Sequence, residues 1–143
     1  MRRIGLLHRR LYASPSYLKQ RGTPRDIDDL RKHDLITHSQ HEHLNIWPTQ
    51  NGTPFRASGP FSSDNAATMA SMAIAGLGIA RMPSLVADPL VAQGKLQCVL
   101  IDQINDTPNI VSAFMLTGRH RLPKIRACLD HWTQWLQHTS PAC

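Results

Sequence analysis

A histidine-rich segment contains the side chains of this chain that are best suited to chemistry. His38, His41 and His43 lie close together, and Glu42 stands between the last two. Imidazole and carboxylate groups at this spacing could bind zinc or nickel from a loop. A structural metal site takes four ligands in a fixed geometry, so the pattern favours a solvated polar loop that holds no metal. A metal-binding module that uses this loop stays open as an alternative.

The sequence motifs of the common enzyme classes are missing from the chain. No serine stands in a GxSxG turn, and no pair of carboxylates has the spacing typical of acid–base catalysis. The segment Gly76-Leu77-Gly78 lacks the third glycine of a dinucleotide-binding loop, and it ends a helix pattern instead of opening one. We therefore predict a protein that has no catalytic residues and no cofactor.

Length and composition are those of one ordinary globular domain. The 143 residues are 41% hydrophobic and 18% charged. The net charge of +6 is spread along the chain without a basic stripe among aromatic residues, so nucleic-acid binding by this chain is not indicated. No apolar run approaches the roughly 18 residues of a membrane span, and Arg9 and Arg10 interrupt the short apolar patch near the start. The sequence predicts a cytoplasmic protein with no membrane partner.

The cysteines predict neither a disulfide framework nor a metal site. They are three in number, widely spaced, and form no CxxC pair. Cys98 and Cys128 fall in apolar patterns, so we expect them to be buried thiols.

Strand and helix patterns alternate along the chain, as in an α/β fold. The helix pattern that follows Ser62-Ser63-Asp64 has mostly small apolar residues at helical spacing, so it can pack closely on a sheet. Asn51-Gly52 is typical of a two-residue hairpin turn. The helix that begins at Pro123 has a wide apolar stripe that includes Trp132 and Trp135. Strands are predicted at 4–12, 34–39, 44–49, 79–82, 96–101 and 110–116, with an irregular one at 53–61, and helices from 15, 23, 66, 83 and 123 onward.

The order of several short motifs resembles the C-terminal effector-binding part of LysR-type transcriptional regulators. Each motif alone is weak, but their order and spacing cover nearly the whole chain. The motifs are Ser14-Pro15, Tyr17-Leu18, Gly22-Thr23-Pro24, Asp29-Leu30, His33-Asp34, Gly76-Leu77-Gly78-Ile79, Pro83, Gly94-Lys95-Leu96 and Pro123-Lys124-Ile125-Arg126.

The resemblance implies an α/β fold of two lobes, similar to a type 2 periplasmic binding protein, that close around a small effector. Residues 13–106 correspond to the whole second lobe, and 1–12 and 107–143 to remnants of the first. The chain is thus expected to be a fragment that lacks the helix-turn-helix, so DNA would be bound only through a segment N-terminal to it. The expected partners are an anionic small molecule and further copies of the chain. A solute-binding protein of the same fold is the alternative, which the missing signal peptide disfavours.

The resemblance also indicates where an effector would bind. The family's cleft lies near helix N-termini and strand C-termini, where unpaired N–H groups favour anions. Each candidate residue has a structural alternative, namely a strand-end polar group, a packing residue or a helix N-cap. The candidates are Thr37, His38, Ser39, Asn65, Met82, Pro83 and Ser14.

The apolar stripe of the last helix carries a further expectation. In the family this helix covers the first lobe, little of which is present here. Apolar surface of that size is rarely left in water. We therefore expect Trp132 and Trp135 to be covered by strand or helix exchange or by a second chain.

Overall fold

A computed structural model describes residues 1–139 and 142–143. Its helices and strands alternate as the sequence predicts, although the helix predicted from Thr23 is only a 3-10 segment, Asp28–Lys32. The strands are β1 Arg2–Leu7, β2 Arg9–Ala13, β3 Leu35–His38, β4 Ile46–Trp47, β5 Phe55–Arg56, β6 Phe61–Ser63, β7 Ile79–Pro83, β8 Gln97–Val99 and β9 Asn109–Ala113; the α-helices are α1 Pro15–Arg21, α2 Ala66–Ile74, α3 Ser84–Ala92 and α4 Pro123–His138. No helix among these described residues is long and apolar enough to cross a membrane.

The chain changes sheets at His8. The central sheet has five strands in the order β6-β3-β7-β2-β8, and β1 pairs with β9 in a separate two-stranded sheet. The single strand predicted at 4–12 is therefore wrong, because His8 separates two strands that take different partners. In the central sheet β6, β3 and β7 are parallel, and β2 is antiparallel to β7 and β8. The carboxyl ends of β6, β3 and β7 consequently all lie at the end of the sheet where β2 begins.

The hydrophobic core has two parts, one on each face of the central sheet. The alternation along β2 produces this division, because Leu11 belongs to one cluster and Tyr12 to the other. On the Tyr12 face, α2 contributes the buried Ala70 and Ala73, whose small side chains let the helix approach the sheet as predicted. Helix α2 thus covers the Tyr12 face of the central sheet.

The last helix packs on the two-stranded sheet with only part of its apolar stripe. Leu129 is buried, whereas Trp132 and Trp135 remain about half exposed, at 48% and 45%. The single thiol that the described residues leave free, Cys128, is also exposed, and Cys98 is joined to Cys143 in a disulfide. The prediction of buried thiols is therefore wrong for both, because α4 has a narrow sheet to cover and β8 lies at the sheet edge next to the chain's end.

A tyrosine–histidine pair links α1 to the start of β3 and makes stability depend on pH. The Tyr17 hydroxyl lies 2.8 Å from His33 Nδ1, and its oxygen accepts the backbone N–H of Asp34 at 3.1 Å. Burial lowers the pKa of His33, with a smaller contribution from the Arg21 charge. The folded protein therefore binds this proton less readily than the unfolded chain, so protonation favours unfolding.

We expect the free energy of unfolding to fall as the pH is lowered from 7.5 to 5.5, through the ordinary histidine pKa. The His33→Gln variant should show a shallower decrease, since glutamine does not titrate. Urea unfolding at the two pH values measures both. Equal decreases in the two proteins would contradict a role for this histidine.

Candidate functional site

The candidate site lies at the edge of the central sheet where the parallel strands end and α2 begins. His38 ends β3 and pairs in register with Ser63 at the end of β6. Pro83 ends β7 and faces Arg9, the first residue of β2. Ligands in open α/β sheets bind at the carboxyl ends of strands. The pairing of β2 with β7 therefore brings Arg9, which is remote in sequence, to the carboxyl ends of the parallel strands.

A small cavity opens at this edge between strand ends and helix α2. Its lining includes Arg9, His38, Arg81, Pro83 and Ala66, and its volume is about 50 Å³. A water molecule takes up about 30 Å³ of the liquid. The cavity can thus hold one carboxylate-sized group, with the rest of a ligand outside it.

The two arginines of the cavity lack a carboxylate partner. Arg81 Nε is buried and makes no hydrogen bond, and no ion pair within the described residues joins Arg81 or Arg9 to an acid. Burial, followed in effect by the neighbouring charge of Arg9, lowers the pKa of Arg81 to about 10. Burial also lowers the pKa of Arg9. The site therefore concentrates positive charge in a partly desolvated position, which an anion would stabilise.

The nearest acid is already paired elsewhere. Asp106 Oδ2 accepts a hydrogen bond from Arg10 Nε at 2.6 Å, and Asp106 Oδ1 lies 3.0 Å from His8 Nδ1. This pairing leaves Arg81 and Arg9 available to a ligand.

His38 is held in place by the loop that follows it. The Asn45 side chain accepts the His38 N–H at 2.7 Å and donates to the His38 carbonyl at 2.9 Å. His38 Nδ1 accepts the N–H of His41 at 3.1 Å, so the neutral ring carries its proton on Nε2. Burial lowers the pKa of His38, followed in effect by the charges of His41 and Arg9. The ring can therefore donate one hydrogen bond from Nε2.

The histidine-rich loop gains no support as a metal centre. The ring centroids of His38 and His41 lie 5.0 Å apart, and those of His41 and His43 lie 5.6 Å apart. Within the part of the chain that the structure describes, no three histidine, cysteine or acidic side chains are arranged to hold a metal ion. The Nδ1 atom of His38 serves the turn of its own loop instead.

The structure places the other predicted residues at varying distances from the cavity. Asn65 caps α2, accepting the N–H groups of Ala67 at 2.8 Å and Thr68 at 3.2 Å, and so orients the helix start next to the cavity. Thr37 is buried and donates to the Phe61 carbonyl at 3.3 Å, whereas Ser39 is exposed beyond the strand end.

Two of the predicted residues point away from the cavity. Met82 is completely buried in the core cluster, because alternation along β7 turns Arg81 and Pro83 to the cavity and Met82 to the other face. Ser14 caps α1 through the N–H of Tyr17, at the opposite end of β2 from Arg9. Both residues therefore have structural roles in this fold.

Sequence reasoning missed Arg9 and Arg81 because it counted both as part of a dispersed surface charge. A signal for Arg81 was present, since it interrupts an otherwise apolar strand between Ala80 and Met82. A charged residue within a buried strand needs a partner. Arg9 has no such signal, because its place opposite Pro83 follows only from strand pairing.

The fold is that of an α/β domain of the periplasmic-binding-protein-like type. The structure of the regulatory domain of CrgA from Neisseria meningitidis superimposes with a TM-score of 0.87 and 26% identity, over 94% of this chain and 68% of that one. The regulatory domain of AphB from Vibrio vulnificus matches with a TM-score of 0.75 and 26% identity, over 93% and 67%. This chain belongs to the LysR substrate binding domain family, whose model matches residues 1–137. The resemblance seen in the sequence is confirmed.

The sequence relatives are transcriptional regulators. The HTH-type transcriptional regulator CrgA of Neisseria meningitidis is 28% identical over 123 residues, which are 85% of this chain and 41% of the relative. The HTH-type transcriptional activator TtdR of Escherichia coli is 29% identical over 131 residues, which are 89% of this chain and 42% of the relative. The chain thus spans about two-fifths of the length of these proteins.

Proposed function

We propose that this chain is the effector-sensing part of a LysR-type transcriptional regulator and that its effector is a small carboxylate. The single observation that supports this most strongly is the buried, unpartnered Nε of Arg81 beside Arg9 and His38. A carboxylate in the cavity would accept hydrogen bonds from the Arg81 guanidinium and from His38 Nε2. Charge-assisted hydrogen bonds of this kind are stronger than those that an uncharged ligand could form with the same groups.

The proposal assigns the residues to two lobes. The five-stranded sheet forms the second lobe, and β1, β9 and α4 belong to the first, whose remaining wall would close over the ligand. Bound effector would favour lobe closure and so change the arrangement of subunits, without a catalytic step. DNA would be contacted through a helix-turn-helix outside these residues. The half-exposed Trp132 and Trp135 support self-association of the chain.

The test compares carboxylates with their uncharged amides. We expect benzoate or succinate to bind the chain in calorimetry and the matching amide to bind at least about tenfold more weakly. Arg81→Gln should weaken carboxylate binding by about 10- to 100-fold, the range for a lost hydrogen bond to a charged group.

Two control variants separate loss of binding from loss of structure. Arg25→Gln changes an exposed arginine far from the cavity and should leave binding unchanged. Arg81→Lys retains the charge and should keep part of the affinity. Equal carboxylate affinity in wild type and Arg81→Gln, or no carboxylate binding by the wild type, would refute the proposed site.

A further inference from the structure

A second, larger cavity lies between β1 and α4 on one side and α3 on the other. Its volume is about 470 Å³, which falls in the usual range for small-molecule pockets. Strand β1, the first turns of α3 and the last turns of α4 form its walls. It shares no lining residue with the Arg81 cavity.

A buried carboxylate lines this cavity. Asp88 is only 5% exposed. Its Oδ1 accepts the Tyr12 hydroxyl at 2.9 Å, and its Oδ2 accepts the backbone N–H of Ala142 at 3.3 Å. Burial, and then the charge of Asp88, raise the pKa of Tyr12, so this hydroxyl stays a donor. Asp88 therefore has hydrogen-bond donors on both oxygens but not yet a compensating charge.

No cation among the described side chains supplies that charge. None of their lysine, arginine or histidine nitrogens lies within 4.0 Å of the Asp88 carboxylate, since none of the ion pairs includes it. Arg3 and His8 also line the cavity, but Arg3 is exposed and His8 lies beside Asp106. Buried charges in proteins are normally paired with an opposite charge.

The rest of the cavity wall is suited to an apolar body. Leu85 from α3 and Leu136 from α4 contribute aliphatic surface, and Thr133 and Gln137 add hydrogen-bonding groups on α4. We propose that this cavity binds a small organic cation, with its ammonium group against Asp88 and its apolar chain between Leu85 and Leu136. Such a ligand would contact β1 and α4 on one side and α3 on the other, so its binding would link α3 to the last helix.

The experiment measures binding of hexylamine, hexanol and hexanoate to the whole chain by calorimetry and by ¹H–¹⁵N NMR. We expect hexylammonium to bind at least about tenfold more tightly than hexanol, with hexanoate weaker still. Asp88→Asn should remove this preference, whereas Asp102→Asn, at an exposed aspartate, should not change it. Chemical-shift changes should centre on α3 and on Leu136.

A second variant keeps the test decisive if Asp88→Asn does not fold. Leu85→Trp retains the carboxylate but fills the cavity, so hexylamine binding should be lost. Unchanged binding in Leu85→Trp, or hexanoate bound as tightly as hexylamine, would overturn the proposal, as would the absence of hexylamine binding. Arg81→Gln should leave hexylamine binding unchanged, so this site and the carboxylate site can fail independently.

Discussion

Replacing Gly59 with alanine is expected to destabilise the domain by about 3 kcal/mol, the upper end of the usual cost of overpacking. The midpoint of thermal unfolding should fall by roughly 10 °C, from the usual few degrees per kcal/mol at this size. The cause is a backbone contact, because a Cβ at Gly59 would overlap the carbonyl oxygen of Leu35 in β3. Leu35 is buried in the core, and its carbonyl cannot move without disturbing the sheet.

The close approach at Gly59 has a counterpart on the other side of β3. A Cβ at Gly78 would overlap the carbonyl oxygen of Asp34. Gly59 precedes β6 and Gly78 precedes β7, and both strands pair with β3. Each strand that neighbours β3 is thus preceded by a glycine that packs against a backbone carbonyl at the start of β3, either that of Asp34 or that of Leu35.

Gly94→Ala is the matched control for Gly59→Ala. No atom lies within 4 Å of a Cβ built at Gly94, and only its positive φ of 73° opposes the substitution. That conformation costs an alanine about 1–2 kcal/mol. Differential scanning calorimetry should therefore rank Gly59→Ala well below Gly94→Ala in midpoint. The reverse order would show that the Leu35 contact relaxes without cost.

Replacing Trp47 with alanine is expected to lower the free energy of unfolding by about 3–5 kcal/mol, as for other buried aromatic residues. Trp47 is only 1% exposed and packs against Phe55, with ring centroids 5.7 Å apart. Its removal would leave a cavity between β4 and the face of the central sheet that carries Leu11. Urea unfolding followed by circular dichroism measures the change.

Trp135→Ala is the control for Trp47→Ala, because Trp135 is the same residue type at 45% exposure. Its removal should cost about 1 kcal/mol, clearly less than the loss of the fully buried Trp47, because half of its surface is already in water. Tryptophan fluorescence adds a second measurement, since Trp47→Ala should leave only the red-shifted emission of the half-exposed tryptophans. A larger loss of stability in Trp135→Ala than in Trp47→Ala would mean that α4 packs more extensively than the structure shows.

The segment around Trp47 also shows where local sequence signals fail. Asn51-Gly52 predicts a two-residue hairpin, but β4 ends at Trp47 and β5 begins only at Phe55. Thr49 explains the longer loop, because it forms an isolated bridge with Ile104 and its hydroxyl donates to the Thr53 carbonyl at 2.6 Å. A contact with a remote residue thus overrides the preferred turn.

The amino-acid sequence by itself determined the α/β class, the family, and local devices such as the Asn65 cap and the small-residue face of α2. These features depend on side chains that lie only a few residues apart, so the spacing of apolar residues and the helix-capping residues can be recognised in the sequence. Tertiary structure alone decided that the chain changes sheets at His8 and that Arg9 meets Pro83. It also decided that Arg81 Nε is buried without a hydrogen bond, and that the buried Asp88 takes part in no ion pair among the described residues. The reason is physical: burial and electrostatic environment depend on which remote strands pair and in what register, and a residue's own neighbours in sequence do not specify that.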